Sequence, residues 1–301
     1  MADVAQNGTF RWGIASTGSI AAKMCEALAS SPDAEIVAVG SRTQPSADAF
    51  AQRFGIARAH GTYDALWADD EVDIVYIASP HSHHHAMTIA ALDAGKHVLC
   101  EKAFAVNAAQ AREMVEAAHR NDRFLMEAMW TWFIPAVADI RRRVSDGVIG
   151  ELRVVEANFG IPVTDPDGRH RRIDLAGGAM LDIGIYPITF ARFLAGEPVD
   201  AKVSGTLGAT GVDTNVGGVV RFATGTLGVF HTSLDMMSDM RASIYGTLGR
   251  IDVDAPFHHP TGFTIRVHGE DPIRVDLPNR GLAHEAEHAM QRIRAGHRDS
   301  D

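Results

Sequence analysis

The sequence predicts a two-domain α/β protein, and three observations support that prediction. Short, nearly all-apolar segments alternate with helical stretches between residues 10 and about 125, strands dominate after about residue 130, and the first strand runs directly into a glycine-containing turn. Apolar strands separated by helices are typical of a parallel sheet covered on both faces. We therefore predict a doubly wound parallel sheet in residues 1–128. In residues 129–301 we predict an α+β domain with a large, mostly antiparallel open sheet.

Apolar runs predict the strands of each domain, and a 3.6-residue periodicity predicts the helices. In the first domain, strands are expected at residues 10–16, 35–41, 72–78, 97–100 and 124–126, and helices at 20–30, 46–54, 86–94 and 108–121. In the second domain, helices are expected at residues 136–146, 181–195 and 284–295, and strands at 152–160, 202–207, 216–222, 227–233, 241–245, 263–267 and 273–277. We expect the helices to cover one face of this second sheet.

The composition excludes several classes of protein. The 301 residues are 46% hydrophobic and 22% charged, as is usual for a globular chain of about two domains. A net charge of −10 argues against a nucleic-acid partner, which requires a basic surface. Two cysteines form no disulfide framework, which favours a reducing, cytoplasmic location. No apolar run is expected to reach the roughly 20 residues of a membrane span, and the first nine residues are expected to be a frayed end.

The glycine-containing turn predicts a site for the pyrophosphate of a dinucleotide. In this Rossmann-type arrangement the free N–H groups at the start of the helix face the phosphates, and the helix dipole favours their negative charge. Gly18 lets the backbone approach the phosphate, whereas Ser16 stands where the usual pattern has its first glycine. The predicted phosphate-binding residues are Ser16, Thr17, Gly18, Ser19 and Ile20.

The end of the second strand indicates NADP rather than NAD. An NAD-binding fold carries an acidic residue about 20 positions after the turn, where it binds the ribose 2′-hydroxyl. Here Ser41 and Arg42 occupy that place. A hydroxyl and a guanidinium suit a 2′-phosphate, which a carboxylate would repel. A solvated loop arginine is the plain alternative, but its position after a matching turn and strand favours the phosphate.

Further motifs, spread in order over nearly the whole chain, resemble one family. They are Ser79-Pro-His-Ser-His-His84, Val98-Leu-Cys-Glu-Lys102, Phe124-Leu-Met-Glu-Ala-Met-Trp130, Gly177-Gly-Ala-Met-Leu-Asp-Ile-Gly-Ile-Tyr186, Gly211-Val-Asp-Thr-Asn215 and Glu285-Ala-Glu-His288. They are similar to the glucose–fructose oxidoreductase, inositol dehydrogenase and rhizopine-catabolism (Gfo/Idh/MocA) family. Its closest branch contains the dimeric dihydrodiol dehydrogenases and the NADP-dependent D-xylose dehydrogenases. The resemblance implies an NADP-dependent oxidoreductase of a sugar (an aldose such as D-xylose) or a cyclic trans-diol, assembled as a homodimer or a higher homo-oligomer.

The resemblance also implies roles for individual residues. Lys102 and Tyr186 would be the catalytic pair, and Asp182 would face the same site as Tyr186. Trp130 and Phe159 would add an apolar wall to the substrate site. The implied cofactor-binding residues beyond the turn are Ser41, Arg42, Ser79, Pro80, His81, His84, Glu101 and Lys102.

The chemistry of alcohol oxidation is consistent with such a pair. A base must accept the hydroxyl proton while a hydride leaves, and a free tyrosine, with a pKa of about 10, is too weak an acid for that role near neutrality. A neighbouring ammonium favours the phenolate. Lowering the pKa by about three units requires about 4 kcal/mol, which needs a partly dry cleft. Without the resemblance, the plain interpretation of Lys102 is a surface lysine and that of Asp182 is a helix cap. Tyr186, Trp130 and Phe159 would then be interpreted as core residues.

Two alternatives come from other classes of protein. A non-catalytic NADP sensor has the same fold, but retention of both Lys102 and Tyr186 favours an enzyme. A zinc metallohydrolase is suggested by His284-Glu-Ala-Glu-His288, with His297 as the one obvious histidine downstream. We expect no metal there, and none at the histidine cluster of residues 81–85.

Two features depart from the family pattern. Ala103 stands where a proline usually follows the Glu-Lys pair, often after a cis bond, so the isomer of the Lys102–Ala103 bond stays open. Relatives usually continue for a few tens of residues beyond the position of Asp301, with a helix that returns to the first domain. We therefore expect either a truncated or a naturally short chain. The exact substrate and the direction of reaction also stay open.

Overall fold

A computed structural model of the chain describes residues 8–300. In chain order the elements are β1 (Phe10–Ala15), α1 (Ser19–Leu28), β2 (Ala34–Gly40), α2 (Gln44–Phe54), β3 (Arg58–His60), α3 (Tyr63–Trp67), β4 (Ile74–Ile77), α4 (His81–Asp93), β5 (His97–Glu101), α5 (Ala108–Asn121), β6 (Leu125–Ala128), α6 (Pro135–Ser145), β7 (Leu152–Gly160), α7 (Ile185–Ala195), β8 (Pro198–Leu207), β9 (Asp213–Phe222), β10 (Leu227–Ser233), β11 (Ala242–Gly246), β12 (Gly249–Val253), β13 (Gly262–Val267), β14 (Ile273–Asp276) and α8 (Ala283–Arg294). A 3₁₀ turn at Trp130–Phe133 and a π-helical turn at Met180–Gly184 complete the parts that matter for function. The predicted frayed end lies outside the described residues, apart from Gly8 and Thr9.

The chain forms two compact units. The first is Met1–Met129 together with Arg280–Asp301, and the second is Trp130–Asn279. The last helix therefore belongs to the first unit, whereas the sequence analysis placed it in the second domain. The cause is its apolar stripe: Ala286, Ala289, Met290 and Ile293 follow helical spacing and are buried, and α8 packs on α1.

The first unit contains the predicted doubly wound sheet. Its six strands are parallel and follow the order β3-β2-β1-β4-β5-β6. The side chains of Phe10, Trp12, Ile14 and Tyr76 are fully buried, as continuous apolar strands require when helices cover both faces. The strand order reverses between β1 and β4, the place where open parallel sheets bind ligands beyond their carboxyl ends.

The second unit contains the predicted open sheet. Eight strands follow the order β14-β13-β12-β11-β7-β10-β9-β8, and all neighbours are antiparallel except β7 and β10. Helix α7 packs on β7 and β10, which places buried Phe159 and Phe230 on the covered face. The edge strand β8 is exposed along its whole length, including Val199, Val203 and Leu207.

Some elements escaped the sequence analysis because their local signals are weak. β3 has three residues, α3 has five, and β12 contains only two buried β-branched side chains, Ile251 and Val253. The stretch Ile173–Ala195 is long and apolar enough to cross a membrane by length and composition alone, contrary to expectation. This is weak evidence for a span, because core helices meet the same criteria and 44% of its most apolar window is buried inside the structure.

Candidate functional site

The turn after β1 has the geometry of an anion-binding turn. Ser16 has a φ of 110°, a conformation that favours glycine, which explains why glycine is usual at this position. Its N–H donates to the carbonyl of Gly40 at 2.9 Å. Gly18 is the N-cap of α1 and forms no side-chain cap, and the first turn of the helix contains no acidic residue. A Cβ at Gly18 would meet only the Ser16 Oγ at 3.9 Å. The free helix N–H groups thus face open space that fits a phosphate.

Beside this turn lies a cavity of about 300 Å³. Its lining residues are Ser16, Thr17, Ser41, Arg42, Thr43, Ser46 and Tyr63. Five hydroxyl-bearing side chains besides the tyrosine and one guanidinium, with no carboxylate among them, suit a phosphate ester. The cavity brings the predicted turn together with the predicted Ser41 and Arg42.

Tyr63 lines this cavity, although it was not predicted from the sequence to be a site residue. It is the first residue of α3, whose N-cap is Thr62, and this short helix gave no clear periodicity. Burial raises the pKa of its hydroxyl, while the Arg42 charge and a hydrogen bond with the Ser16 side chain act in the opposite direction. The Thr-Tyr-Asp cap signature at residues 62–64 is the signal that could have indicated this helix start.

Lys102 directly follows β5 and is half-buried. Its backbone N–H donates to the Glu101 carboxylate at 3.2 Å, and the same carboxylate accepts a hydrogen bond from the buried Tyr76 hydroxyl. The Lys102–Ala103 peptide bond is cis.

His84 joins two segments next to Lys102. Its Nδ1 lies 2.8 Å from the carbonyl oxygen of Ala103, and its Nε2 lies 2.9 Å from that of Ser79. The ring is fully buried, and burial lowers its pKa. His81 packs edge-on against His84 at 5.7 Å between ring centroids, and Pro80 is the N-cap of the helix that carries both. His84 therefore holds the end of β4 against the segment after Lys102.

A fully buried carboxyl group, that of Glu285, lies close to Glu101. Glu285 of α8 has no exposed surface, and neither of its carboxyl oxygens has a hydrogen-bond partner among the described residues. Burial, together with the nearby charges of Glu101 and Glu127, raises its pKa well above the usual range. A protonated, uncharged Glu285 is the form that fits this surrounding.

Tyr186 lies near the start of α7, with 7% of its surface exposed. The indole Nε1–H of Trp130 donates to its hydroxyl oxygen at 3.1 Å. Phe159 and His258 surround the ring, with centroids 5.4 Å and 4.9 Å away, and stack on each other at 4.4 Å. Three residues predicted for the substrate site, Trp130, Phe159 and Tyr186, thus form one cluster.

His258 and its neighbour His259 also belong to this cluster, and neither was predicted from the sequence. His259 packs against Trp130 at 5.2 Å, and the carbonyl oxygen of His258 accepts a hydrogen bond from the Thr131 hydroxyl at 2.7 Å. These residues lie far from Trp130 in the chain, and no local motif surrounds them. Only the pairing of the strands brings them to Tyr186.

Asp182 is a buried carboxylate with two basic partners. It is 2% exposed and forms ion pairs with Arg169 at 2.9 Å and His170 at 3.3 Å, neither of which the sequence indicated. It lies in the π-helical turn that directly precedes α7, the helix that carries Tyr186. The structure accordingly gives Asp182 a charge-balanced position.

The histidine pattern in α8 does not assemble a metal site. The His284 Nε2 accepts a hydrogen bond from the backbone N–H of Arg280 at 3.0 Å, and Glu285 is turned into the core. Between residues 8 and 300, no group of three or more His, Cys, Asp or Glu side chains is arranged to hold a metal ion.

Comparisons with known proteins match both units. Residues 10–129 match the family model described as "Oxidoreductase family, NAD-binding Rossmann fold", and residues 137–252 match the "GFO/IDH/MocA C-terminal domain". Trans-1,2-dihydrobenzene-1,2-diol dehydrogenase from Bos taurus is 36% identical over 304 residues, which cover 96% of this chain and 90% of that protein. The enzyme of the same name from Homo sapiens is 37% identical over 303 residues, with the same coverage.

Solved structures agree with these sequence matches. A 3-ketoreductase from Actinomadura kijaniata, in complex with NADP and TDP-benzene, has a TM-score of 0.87 and 28% identity, and the match covers 96% of this chain and 91% of that one. An aldose-aldose oxidoreductase from Caulobacter crescentus, complexed with glycerol, has a TM-score of 0.88 and 25% identity, with 96% and 90% covered.

Proposed function

Because this chain belongs to the Gfo/Idh/MocA oxidoreductase family, we propose that it is an NADP-dependent dehydrogenase of a cyclic trans-diol or a sugar. It is an oxidoreductase that acts on CH–OH groups, as its relatives are. The single observation that carries the proposal is Tyr186, which is nearly buried within a cluster of aromatic rings and accepts a hydrogen bond at its hydroxyl oxygen. A phenol in this position can exchange a proton with a substrate hydroxyl whose ring packs on Trp130 and Phe159.

The choice of NADP is supported by the cavity beside the turn. Ser41, Arg42, Thr43 and Ser46 present hydroxyls and a guanidinium near the start of α2, which has no acidic residue in its first turn. These groups would hold a 2′-phosphate, and the uncapped start of α1 would hold the pyrophosphate. When bound, the oxidised nicotinamide supplies the hydride acceptor.

In the proposed mechanism Tyr186 accepts the proton of the substrate hydroxyl during oxidation and returns it during reduction. Lys102 assists as a positive charge that favours the phenolate. Its backbone is held by the Glu101 carboxylate, and the segment that follows it is held by His84. Asp182, fixed by Arg169 and His170, is assigned to orienting the substrate. Ser79, Pro80 and His81 are assigned to binding the cofactor.

The experiment that tests this proposal measures NADPH formation at neutral and alkaline pH. The substrates are trans-1,2-dihydrobenzene-1,2-diol, D-xylose and D-glucose, each with NADP⁺ and with NAD⁺. We expect turnover of one substrate with NADP⁺, lost by at least 100-fold in Tyr186→Phe and reduced in Lys102→Met. Tyr245→Phe, a matched change at a half-buried tyrosine in β11, is expected to retain activity.

Two results would contradict the proposal in different ways. Tight NADP⁺ binding without turnover of any substrate class would favour a non-catalytic sensor. Absence of NADP⁺ binding would remove the cofactor assignment.

The same proposal includes a homodimer and a cytoplasmic location. The exposed apolar side chains of β8, Val199, Val203 and Leu207, offer a surface that a second copy would cover. Both cysteines, Cys25 and Cys100, are buried and unpaired, which suits a reducing compartment. Light scattering of the purified protein measures the oligomeric state directly.

A further inference from the structure

The Tyr186 hydroxyl accepts a hydrogen bond from an indole N–H, at 3.1 Å from Trp130 Nε1. Indole nitrogen is a donor only, so the tyrosine oxygen must act as acceptor in this pair. The tyrosine's own proton therefore points away from Trp130. This arrangement settles the direction of the hydrogen bond at the atom to which the proposed function assigns proton transfer.

The indole is held in place from several sides. Trp130 opens the 3₁₀ turn Trp130–Phe133, and His258 and His259 pack against its ring at 5.9 Å and 5.2 Å between centroids. The next residue, Thr131, is 1% exposed, and its hydroxyl donates to the His258 carbonyl oxygen at 2.7 Å. The N–H thus faces Tyr186 in a preorganised geometry, and the surrounding rings limit access of water.

A fixed N–H donor changes the acidity of a phenol. Hydrogen bonds to charged acceptors are about twice as strong as those to neutral acceptors, so the donor stabilises the phenolate more than the phenol. The pKa of the phenol falls accordingly. The other titratable groups packed here are His258, at 4.9 Å from the Tyr186 ring, His259, at 5.2 Å from the Trp130 ring, and Asp182 in the preceding turn, whose charge is balanced by Arg169 and His170.

We propose that Trp130 is a positioning residue for Tyr186: its Nε1–H orients the tyrosine hydroxyl and stabilises the phenolate that accepts the substrate proton. This inference rests on the proposed function and deepens it. It adds to the role of Trp130 as an apolar wall, because the essential feature is the N–H group and not the ring surface.

The test compares pH profiles of kcat for oxidation in the wild type and Trp130→Phe. In the oxidation direction, kcat is expected to rise with pH as Tyr186 ionises, with an inflection at the pKa of that group. Removal of the donor is expected to move this inflection upward by about 0.7 pH unit. The rate below the inflection then falls about fivefold, and the alkaline plateau stays nearly unchanged. Phe159→Leu is the matched control, because Phe159 contacts the same ring without an N–H. It is expected to raise KM without moving the inflection.

A second variant tests whether Trp130→Phe acts through altered packing and not through loss of the N–H group. Site-specific replacement of Trp130 by benzothienylalanine keeps the shape of the two fused rings and replaces N–H by sulfur. It is expected to reproduce the upward movement of the inflection. A normal profile in this variant overturns the proposal, since it would assign the effect of Trp130→Phe to shape.

A readout without catalysis separates this inference from the proposed function. The chain has four tyrosines, so with tyrosine labelled by ¹³C at Cζ the Tyr186 resonance is assigned by its loss in Tyr186→Phe. Its titration is expected to move to higher pH in both Trp130 variants, even if no substrate is turned over. An unmoved titration together with an unmoved rate profile overturns the proposal. A moved titration in a protein without dehydrogenase activity would contradict only the function.

Discussion

Glu285 is fully buried close to Glu101 in the first unit, and burial together with the Glu101 charge raises the pKa of Glu285 well above its usual range. Glu101 accepts hydrogen bonds from Tyr76 and from the backbone of Lys102, whereas Glu285 has neither oxygen satisfied among residues 8–300. The proton therefore belongs on Glu285. An uncharged acid in α8 thus lies close to Glu101, the last residue of β5 and the neighbour of Lys102.

The first prediction follows from the raised pKa of Glu285. A group whose pKa is higher in the folded than in the unfolded state contributes stability below its unfolded pKa, and this stability is lost as the pH rises through the folded value. The wild type should therefore lose stability above about pH 4.5, at up to about 1.4 kcal/mol per pH unit. Glu285→Gln mimics the protonated form, and its advantage in free energy of unfolding over the wild type should grow from pH 5 to pH 8.

Urea denaturation across that pH range checks this prediction. Glu287→Gln is the matched control, because Glu287 lies on the same helix but pairs with Arg280 at its surface. Its effect should stay below about 1 kcal/mol. A constant difference between wild type and Glu285→Gln from pH 5 to pH 8 would contradict a protonated Glu285.

The second prediction concerns cofactor selectivity. Arg42 lines the cavity beside the turn, and none of the other residues that line this cavity carries a carboxylate. Arg42→Ala should weaken NADP⁺ binding about 10- to 100-fold, because a charge-assisted hydrogen bond to phosphate is lost. NAD⁺ binding should change less than about twofold. Calorimetric titration measures both, and Arg53→Ala, at the far end of α2, is the control. Equal losses for the two cofactors would remove Arg42 from the 2′-phosphate site.

The third prediction concerns the backbone of the turn. Ser16 adopts a φ of 110°, which costs a residue with a Cβ about 1 kcal/mol or more. Ser16→Gly should therefore raise the free energy of unfolding by about 0.5–1 kcal/mol, after allowance for the lost contact with Tyr63. Ser19→Gly, three residues later in helical backbone, should lower it by a similar amount. Thermal melts of both variants provide the comparison, and the same sign for the two changes would refute the argument from φ.

The fourth prediction concerns the ion pairs of Asp182. Asp182→Asn removes a buried charge from two partners and should lower the free energy of unfolding by about 1–2 kcal/mol, a value reduced because Arg169 is 43% exposed at its side chain. Asp174→Asn breaks an exposed pair with Arg172 and should change stability by less than about 0.5 kcal/mol. If the two variants melt alike, the pairing of Asp182 is not a stabilising contact.

Local patterns were enough to predict most elements and the position of the glycine-containing turn after β1. Apolar strands such as β1, β4 and β5 are recognisable because each is buried on both faces, and Ser41 with Arg42 lies at a fixed distance from Gly18 along the chain. Short elements could not be predicted from such patterns. A three-residue strand such as β3 and a five-residue helix such as α3 contain too few residues to show a periodic pattern. Because α3 was not predicted, its first residue, Tyr63, was not predicted as a site residue either.

By itself, then, the sequence determined the doubly wound sheet, the open second sheet and the glycine-containing turn between β1 and α1, because these depend on periodicity and on spacings within short segments, and its motifs indicated the family by resemblance. Only the tertiary structure decided that the last helix belongs to the first unit, that Glu285 meets Glu101, that Arg169 and His170 balance Asp182, and that Trp130 donates to Tyr186. Each of these contacts joins residues whose local sequences are independent of each other. Strand pairing and helix packing bring them together, and the energy of a polar contact depends on the burial and the charges that this packing creates.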